Sequence, residues 1–406
     1  MRRLTKQVFF LTVEKASHLG GAMLLLIAVA RLLGEAALGA YAYVIAITAI
    51  FVPILDLGLN TRVIRAVAVG EGAEALQDAI AYKVRFGPVA VLIMIICAWL
   101  AGKSGDVILA VFLVGLSTWA MSVGDVFNAV FKGIQRADYS ALLVGGTYVC
   151  LTGLGMGAMV YEVGLLGIAG SYVVCRIGFM VAAWVLLCRL GYAVGGGFRW
   201  QDVFAGVRFM PAVFFVGVLL NINFIMADGL GQGAESGGYA IGYRVGAALF
   251  VLVSASMEGV LPALVGVKDN KAAFRDLFLR CCGLFLLAGI LGVGLIQTLG
   301  HWAVVWIFGE GYISAVVAVK VLGWTLPPLL ICAASHTALL ALGLEREGFV
   351  WMVCMVFVGT VLGGLGFGWA GAWGTAFAPT VTGWAFACVL GWRVWCVLKV
   401  APFKIG

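Results

Sequence analysis

Apolar runs alternate with short polar links twelve times along the 406 residues, and no link is long enough to hold a soluble domain. A helix needs ~20 apolar residues to cross the ~30 Å hydrocarbon layer, and its backbone groups must be satisfied within the helix. The pattern predicts an all-α polytopic membrane protein of about 12 transmembrane helices. In the first half the runs cover residues 8–33, 38–59, 84–101, 107–131, 140–161 and 165–188. Those of the second half cover 209–226, 239–265, 277–299, 314–342, 348–369 and 372–398. Two six-helix bundles are therefore expected, 1–200 and 201–406. The links Arg62–Arg85 and Lys268–Arg280 mix basic and acidic residues and predict short interfacial helices. Pro327-Pro328 should break or kink the tenth helix.

Composition sharpens this picture. The chain is 63% hydrophobic and 11% charged, with a mean hydropathy of +1.10, against ~45–50% and ~25% in soluble domains. With the N-terminus inside, most Lys and Arg fall at or near the cytoplasmic face, among them Lys83, Arg136, Lys271, Arg275 and Lys399. The outer loops hold only Lys103, with Arg31 and Lys320 near outer helix ends. The positive-inside rule then puts both termini in the cytoplasm. It also accounts for most of the +7 net charge, so no nucleic acid is implied. The ten cysteines all lie within the apolar runs without CxxC spacing, which argues against a disulfide framework or a zinc site.

The two halves echo each other. Leu38-Gly39-Ala40-Tyr41 opens the second run, and Gly238-Tyr239-Ala240-Ile241-Gly242-Tyr243 opens the eighth. The fourth run exits through Gly133-Ile134-Gln135-Arg136, and the tenth through Gly343-Leu344-Glu345-Arg346. Gly164-Leu165-Leu166-Gly167 begins the sixth, and Gly371-Ala372-Trp373-Gly374 the twelfth. Six spans return the chain to its starting side, so the repeats are parallel, with the cleft between them as the default path for alternating access.

Ala30-Arg31-Leu32-Leu33-Gly34, Leu38-Gly39-Ala40-Tyr41, Asp56-Leu57-Gly58-Leu59-Asn60 and Arg65 resemble the N-terminal signature of polysaccharide-biosynthesis flippases. These are the Wzx-type members of the multidrug/oligosaccharidyl-lipid/polysaccharide (MOP) exporter superfamily. The Gly238 to Arg244 run, with Pro262 further on, is similar to the start of that family's second half. The resemblance implies an inner-membrane protein that moves an undecaprenyl-pyrophosphate-linked oligosaccharide from the cytoplasmic to the outer leaflet. It implies as partners that cargo, the phospholipid bilayer and polysaccharide-assembly proteins, with a monomer as the working unit. No cofactor is expected beyond H+ or Na+ as a coupling ion.

Ionisable groups at depth cost at least ~2.5–3.5 kcal/mol on insertion scales and should face protein or a wet cavity. Four cations are candidates for the pyrophosphate: Lys15, Arg31, Arg176 and Arg244. Guanidinium groups grip phosphate oxygens bidentately. Arg176 has no acid partner on its own helix, which makes it the leading candidate. Lys15 and Asp56 fall at similar depth, so an ion pair and a ligand role are both open, and Arg31 either snorkels to headgroups or meets cargo. Asp125, Glu258 and Asp56 are ion-coupling candidates. Glu14 with His18, Asp125 with Asn128, and Asn221, Asn223 and Asp228 add polar groups to helix faces, where hydrogen bonds between helices would look the same. His336 reads more simply as a packed histidine.

A lipid pyrophosphate carries roughly two negative charges, and an inside-negative potential favours its outward movement by ~2.3 kcal/mol per charge per 100 mV. Coupling is thus compatible but not required, and no Gly-Lys-Ser/Thr phosphate loop marks an ATP-driven pump. The main alternative is an ion-coupled multidrug antiporter of the same superfamily, which calls for acids rather than cations in the path. A membrane glycosyltransferase would need a catalytic constellation in a loop, and Asp202 or His301 with Glu310 does not form a convincing one.

Overall fold

The computed structural model describes residues 2–68, 70, 72–191, 212–230, 241–244, 257–313 and 315–400, and among them no strand occurs. Of the groups singled out above, Asp202 and the side chains of Asp228 and Glu258 lie outside the described residues, as does the start of the second-half motif, 237–240. Among the described residues nine helices are long and apolar enough to cross a membrane, counting 13–56 once. The chain divides into two compact units, Met1–Met210 and Pro211–Gly406.

The N-terminal unit contains α1 (Arg2–Asp56), α2 (Leu59–Ala68), α3 (Gly72–Leu100), α4 (Gly105–Gly133), α5 (Ala137–Val160) and α6 (Gly164–Arg189). The first two apolar runs both lie in α1, separated by a break at Gly34, whose φ of 82° and ψ of −177° are accessible to glycine alone at low cost. At the end of α1, Leu57 (φ 44°) and Gly58 (φ 74°) turn the chain. The Gly58 N–H donates to the Asp56 carboxylate over 3.2 Å and holds the turn. The turn leads into α2, the interfacial helix expected of this link. Its Leu59, Val63 and Val67 recur every fourth residue and are buried against α3 and α4. Each such burial is worth about 1.5–3 kcal/mol relative to exposure. α4 is central to the unit, packing on α6, α3, α2 and α1, while α1 packs on α5.

Two expectations for the links change. Residues 72–85 are not a separate interfacial piece but the first turns of α3, so the third span is longer than its apolar run. Lys271–Arg280 likewise forms the first turns of one long helix. Polar residues can begin a transmembrane helix when neighbouring helices satisfy them, and hydropathy alone does not register that.

The C-terminal unit contains α7 (Ala212–Leu230), α8 (Met257–Gly266), α9 (Lys271–Phe308), α10 (Ala315–Gly323), α11 (Leu326–Ala341) and α12 (Glu345–Val400). Pro327 and Pro328 stand in the first turn of α11, so the tenth run is split between α10 and α11 as the proline pair required. α12 holds two membrane-spanning arms, Glu345–Trp369 and Gly374–Lys399. Backbone atoms of Gly366 and Gly374 meet, and Glu347 pairs with Arg393 at 2.8 Å, so the arms run antiparallel. α7 and α11 pack on α12, and α9 packs on α11.

Candidate functional site

Inside the N-terminal unit, polar side chains from α1, α4, α5 and α6 converge. Arg176 on α6 donates from Nη1 to Thr118 Oγ1 at 2.8 Å and to Ser117 Oγ at 3.4 Å, both on α4. Its guanidinium carbon lies 4.7 Å from the centroid of the Tyr172 ring. Tyr172 shares a 2.9 Å hydroxyl hydrogen bond with Tyr41 of α1. Tyr148 of α5 interacts with the same arginine and stacks on His18 of α1, with ring centroids 4.6 Å apart. Arg176 also acts on His18 electrostatically. Among the described residues no carboxylate pairs with Arg176. A guanidinium has five N–H donors, and neutral hydroxyls and rings leave its charge uncompensated.

Of the three acids Glu14, Asp56 and Asp125 in this unit, all but one are engaged. Glu14 accepts from Lys132 Nζ at 2.7 Å and from Ser140 Oγ at 2.5 Å, which ties α1 to the end of α4 and the start of α5. Asp56 pairs with Lys83 at 3.4 Å. Lys83 also donates to Asn60 Oδ1 at 3.0 Å and to the Ser122 carbonyl at 2.9 Å. The sequence reading put Lys83 near the cytoplasmic surface and offered Lys15 as a partner for Asp56. Instead Lys83 is fully buried and takes Asp56 itself, because α3 begins earlier than its apolar run. Asp56 thus holds a turn and a buried cation, a structural task that weakens it as a coupling group. Asp125 on α4 is the exception. It is half-buried, makes no hydrogen bond or ion pair among the described residues, and feels Lys83, Lys132, Asp56 and Glu14 through space. Asn128, one turn further on, is buried with its Oδ1 unpaired.

The remaining candidates are dispersed. Lys15 is half-buried on α1, and Arg31 is exposed three residues before the Gly34 break. In the C-terminal unit Arg244 is half-buried, with its guanidinium carbon 5.6 Å from the Tyr243 ring centroid. Among the described residues its Nε and Nη2 are buried without a hydrogen-bond partner. Asn221 and Asn223 donate to carbonyls of their own helix, Gly217 at 2.6 Å and Leu219 at 2.8 Å. The Oδ1 atom of each is unpaired, and Asn223 Oδ1 approaches Gly363. His336 is buried beside Phe215, with its Nδ1 unpaired among the described residues. Sequence reasoning missed Tyr148, Tyr172, Ser117 and Thr118. Tyr172 stands one turn before Arg176 on α6, a spacing that could have marked it, whereas Tyr148, Ser117 and Thr118 meet the arginine only when three helices pack.

Solved structures share this fold. An inward-facing multidrug resistance MATE family transporter of the MOP superfamily matches with a TM-score of 0.68 and 14% identity, over 98% of this chain and 100% of its own. An outward-facing MATE family transporter matches with the same TM-score, 0.68, at 12% identity over 97% of this chain and 95% of its own. A MOP superfamily transporter from Pyrococcus furiosus, described with a binding pocket of reverse polarity, has a TM-score of 0.66 at 12% identity, over 98% of this chain and 95% of its own. The fold is therefore that of the MOP-superfamily transporters, and equal likeness to inward- and outward-facing forms ties the match to architecture rather than to a state. A family model described as polysaccharide biosynthesis protein matches residues 4–267, and the chain belongs to that family. No curated protein sequence matches.

Proposed function

We propose that this protein flips an undecaprenyl-pyrophosphate-linked oligosaccharide from the cytoplasmic to the outer leaflet by alternating access of its two halves. It would do so in the bacterial inner membrane, with both termini cytoplasmic, in the service of surface polysaccharide assembly such as O-antigen. Family membership supports a cargo from polysaccharide biosynthesis. The observation that carries the reading is Arg176, held within the bundle by hydroxyls and tyrosine rings and without a counter-carboxylate. A half-buried cation without a counter-charge is costly. A passing pyrophosphate compensates it, and charge-assisted bonds to phosphate oxygens are about twice as strong as neutral ones.

Tyrosines 41, 148 and 172 beside the arginine suit the faces and hydroxyls of a glycan. Arg244, with two unsatisfied nitrogens, supplies a second cation in the other half. Asp125 is the group for ion coupling, whether to H+ or Na+. A multidrug antiporter for cationic drugs fits poorly, because Arg176 repels such cargo. The reading is tested by equilibrium binding of a polyprenyl-pyrophosphate glycan and of the same glycan on neutral polyprenol. Arg176→Ala should lose the preference for the pyrophosphate. Equal binding of the two lipids by wild type would refute the reading.

A further inference from the structure

At the basic end of the C-terminal unit, the first turns of α9 and the last turns of α12 flank a half-open cavity of about 250 Å³. It is lined by Lys271, Ala272, Arg275, Trp395, Leu398 and Lys399. The placement follows from the sequence, since Lys271 and Arg275 are four apart on α9 and Trp395 and Lys399 four apart on α12, so each pair forms one stripe. Trp395 sits between the cations, with Arg275 Cζ 6.0 Å and Lys399 Nζ 5.2 Å from its ring centroid. The N-terminus of α9 adds its partial positive charge, since Lys271 and Ala272 are its first two residues and only the third amide, Ala273, is capped by Asn270. Among the described residues no carboxylate lines the cavity, and the adjacent Asp276 is turned to Arg280, 3.9 Å away on the exposed face.

We infer that this cavity is a binding site for the phosphate headgroup of an anionic phospholipid. Three cations, a helix N-terminus and no acid define a site for an oxyanion. Its volume is several times the ~30 Å³ that a water molecule occupies in the liquid, so it accommodates a multi-atom group. The surroundings favour a lipid over free phosphate. One turn further along each helix toward the apolar segment stand Leu279, 49% exposed, and Trp392, 67% exposed, an apolar surface along which acyl chains can lie. Basic pockets between transmembrane helices at a membrane surface are suited to anionic headgroups. The bound lipid would bridge the start of α9 to the end of α12, elements that otherwise make little contact.

The test is native mass spectrometry of the purified full-length protein, titrated with phosphatidylglycerol or phosphatidylcholine, with inorganic phosphate in large excess as a competitor. Wild type should retain one phosphatidylglycerol in preference to phosphatidylcholine, and phosphate should not displace it. Arg275→Gln and Lys399→Gln should each weaken that retention roughly fivefold. Arg280→Gln, which removes a cation from the same helix but off the cavity-lining stripe, should leave it unchanged. Lys399 is exposed and makes no hydrogen bond among the described residues, so its variant keeps the fold and the test decisive. Equal retention of the two lipids, unchanged retention in Lys399→Gln, or displacement by phosphate would each overturn the assignment.

Discussion

Lys83 Nζ lies 3.4 Å from Asp56 Oδ1, and the lysine is fully buried where α3 meets the turn between α1 and α2. The same ammonium reaches Asn60 and the carbonyl of Ser122, so three elements are fastened by one charge. Removing one partner of a buried pair typically costs about 3–5 kcal/mol, because the other charge is left uncompensated. Lys83→Met should therefore destabilise the protein by about that amount in thermal or denaturant unfolding in micelles. Adding Asp56→Asn should cost less than the sum of the two single changes. By contrast Arg393→Ala, which breaks a pair whose side chains are each 38% exposed, should cost about 0–1 kcal/mol. A Lys83 variant as mild as the Arg393 variant would contradict this role.

The packing beside that lysine gives a second prediction. Trp119 Nε1 donates to the Lys83 carbonyl at 2.8 Å, and its ring occupies the space that a Cβ on Gly87 would need. Gly87→Ala should displace the tryptophan and cost about 1–3 kcal/mol of stability. Gly146→Ala, with no atom near its would-be Cβ, should be close to neutral in the same assay. Similar melting of both variants would show that the Trp119 contact is not limiting.

Arg176 separates function from stability. Its partners Ser117, Thr118 and Tyr172 are neutral, so Arg176→Ala leaves no stranded charge and should fold and insert normally. Hydrogen bonds to charged groups are worth about 1.5–3 kcal/mol, so cargo flipping should fall roughly 10- to 100-fold. Arg176→Lys, which keeps the charge and loses the planar fork, should fall in between. Flipping that survives in Arg176→Ala would remove the arginine from the path.

Much of this architecture was legible in the apolar runs. The break at Pro327-Pro328 and a short helix in the link after the second run follow from residue types alone. What escaped was the start of α3 and α9, where charged residues belong to the helix. Lys83 illustrates the reason, since a lysine reads as a surface residue until Asp56, Asn60 and Ser122 are seen to surround it. For the candidate site, Arg176 stood out as a charge in an apolar run. Its hydroxyl partners did not, because Ser117 and Thr118, 59 and 58 positions away in the chain, reach it only through the packing of α4 on α6.

Asp125 offers a test of coupling that is independent of cargo affinity. Among the described residues it has no hydrogen-bond partner, while Glu14 and Asp56 are held by lysines, so of these three acids it is the one open to a proton or a sodium ion. Imposing a pH or Na+ gradient on proteoliposomes should change the flipping rate of wild type and leave that of Asp125→Asn unaffected. An Asp125→Asn protein that still responds to both gradients would place coupling elsewhere.

The most direct measurement follows a fluorescent polyprenyl-pyrophosphate oligosaccharide across sealed liposomes containing the purified protein, with wild type compared to Arg176→Ala and Arg244→Ala. The proposed function predicts transfer by wild type that drops sharply in both folded variants. A well-folded wild type that moves none of a range of such glycans, yet exchanges cationic drugs for protons, would contradict it.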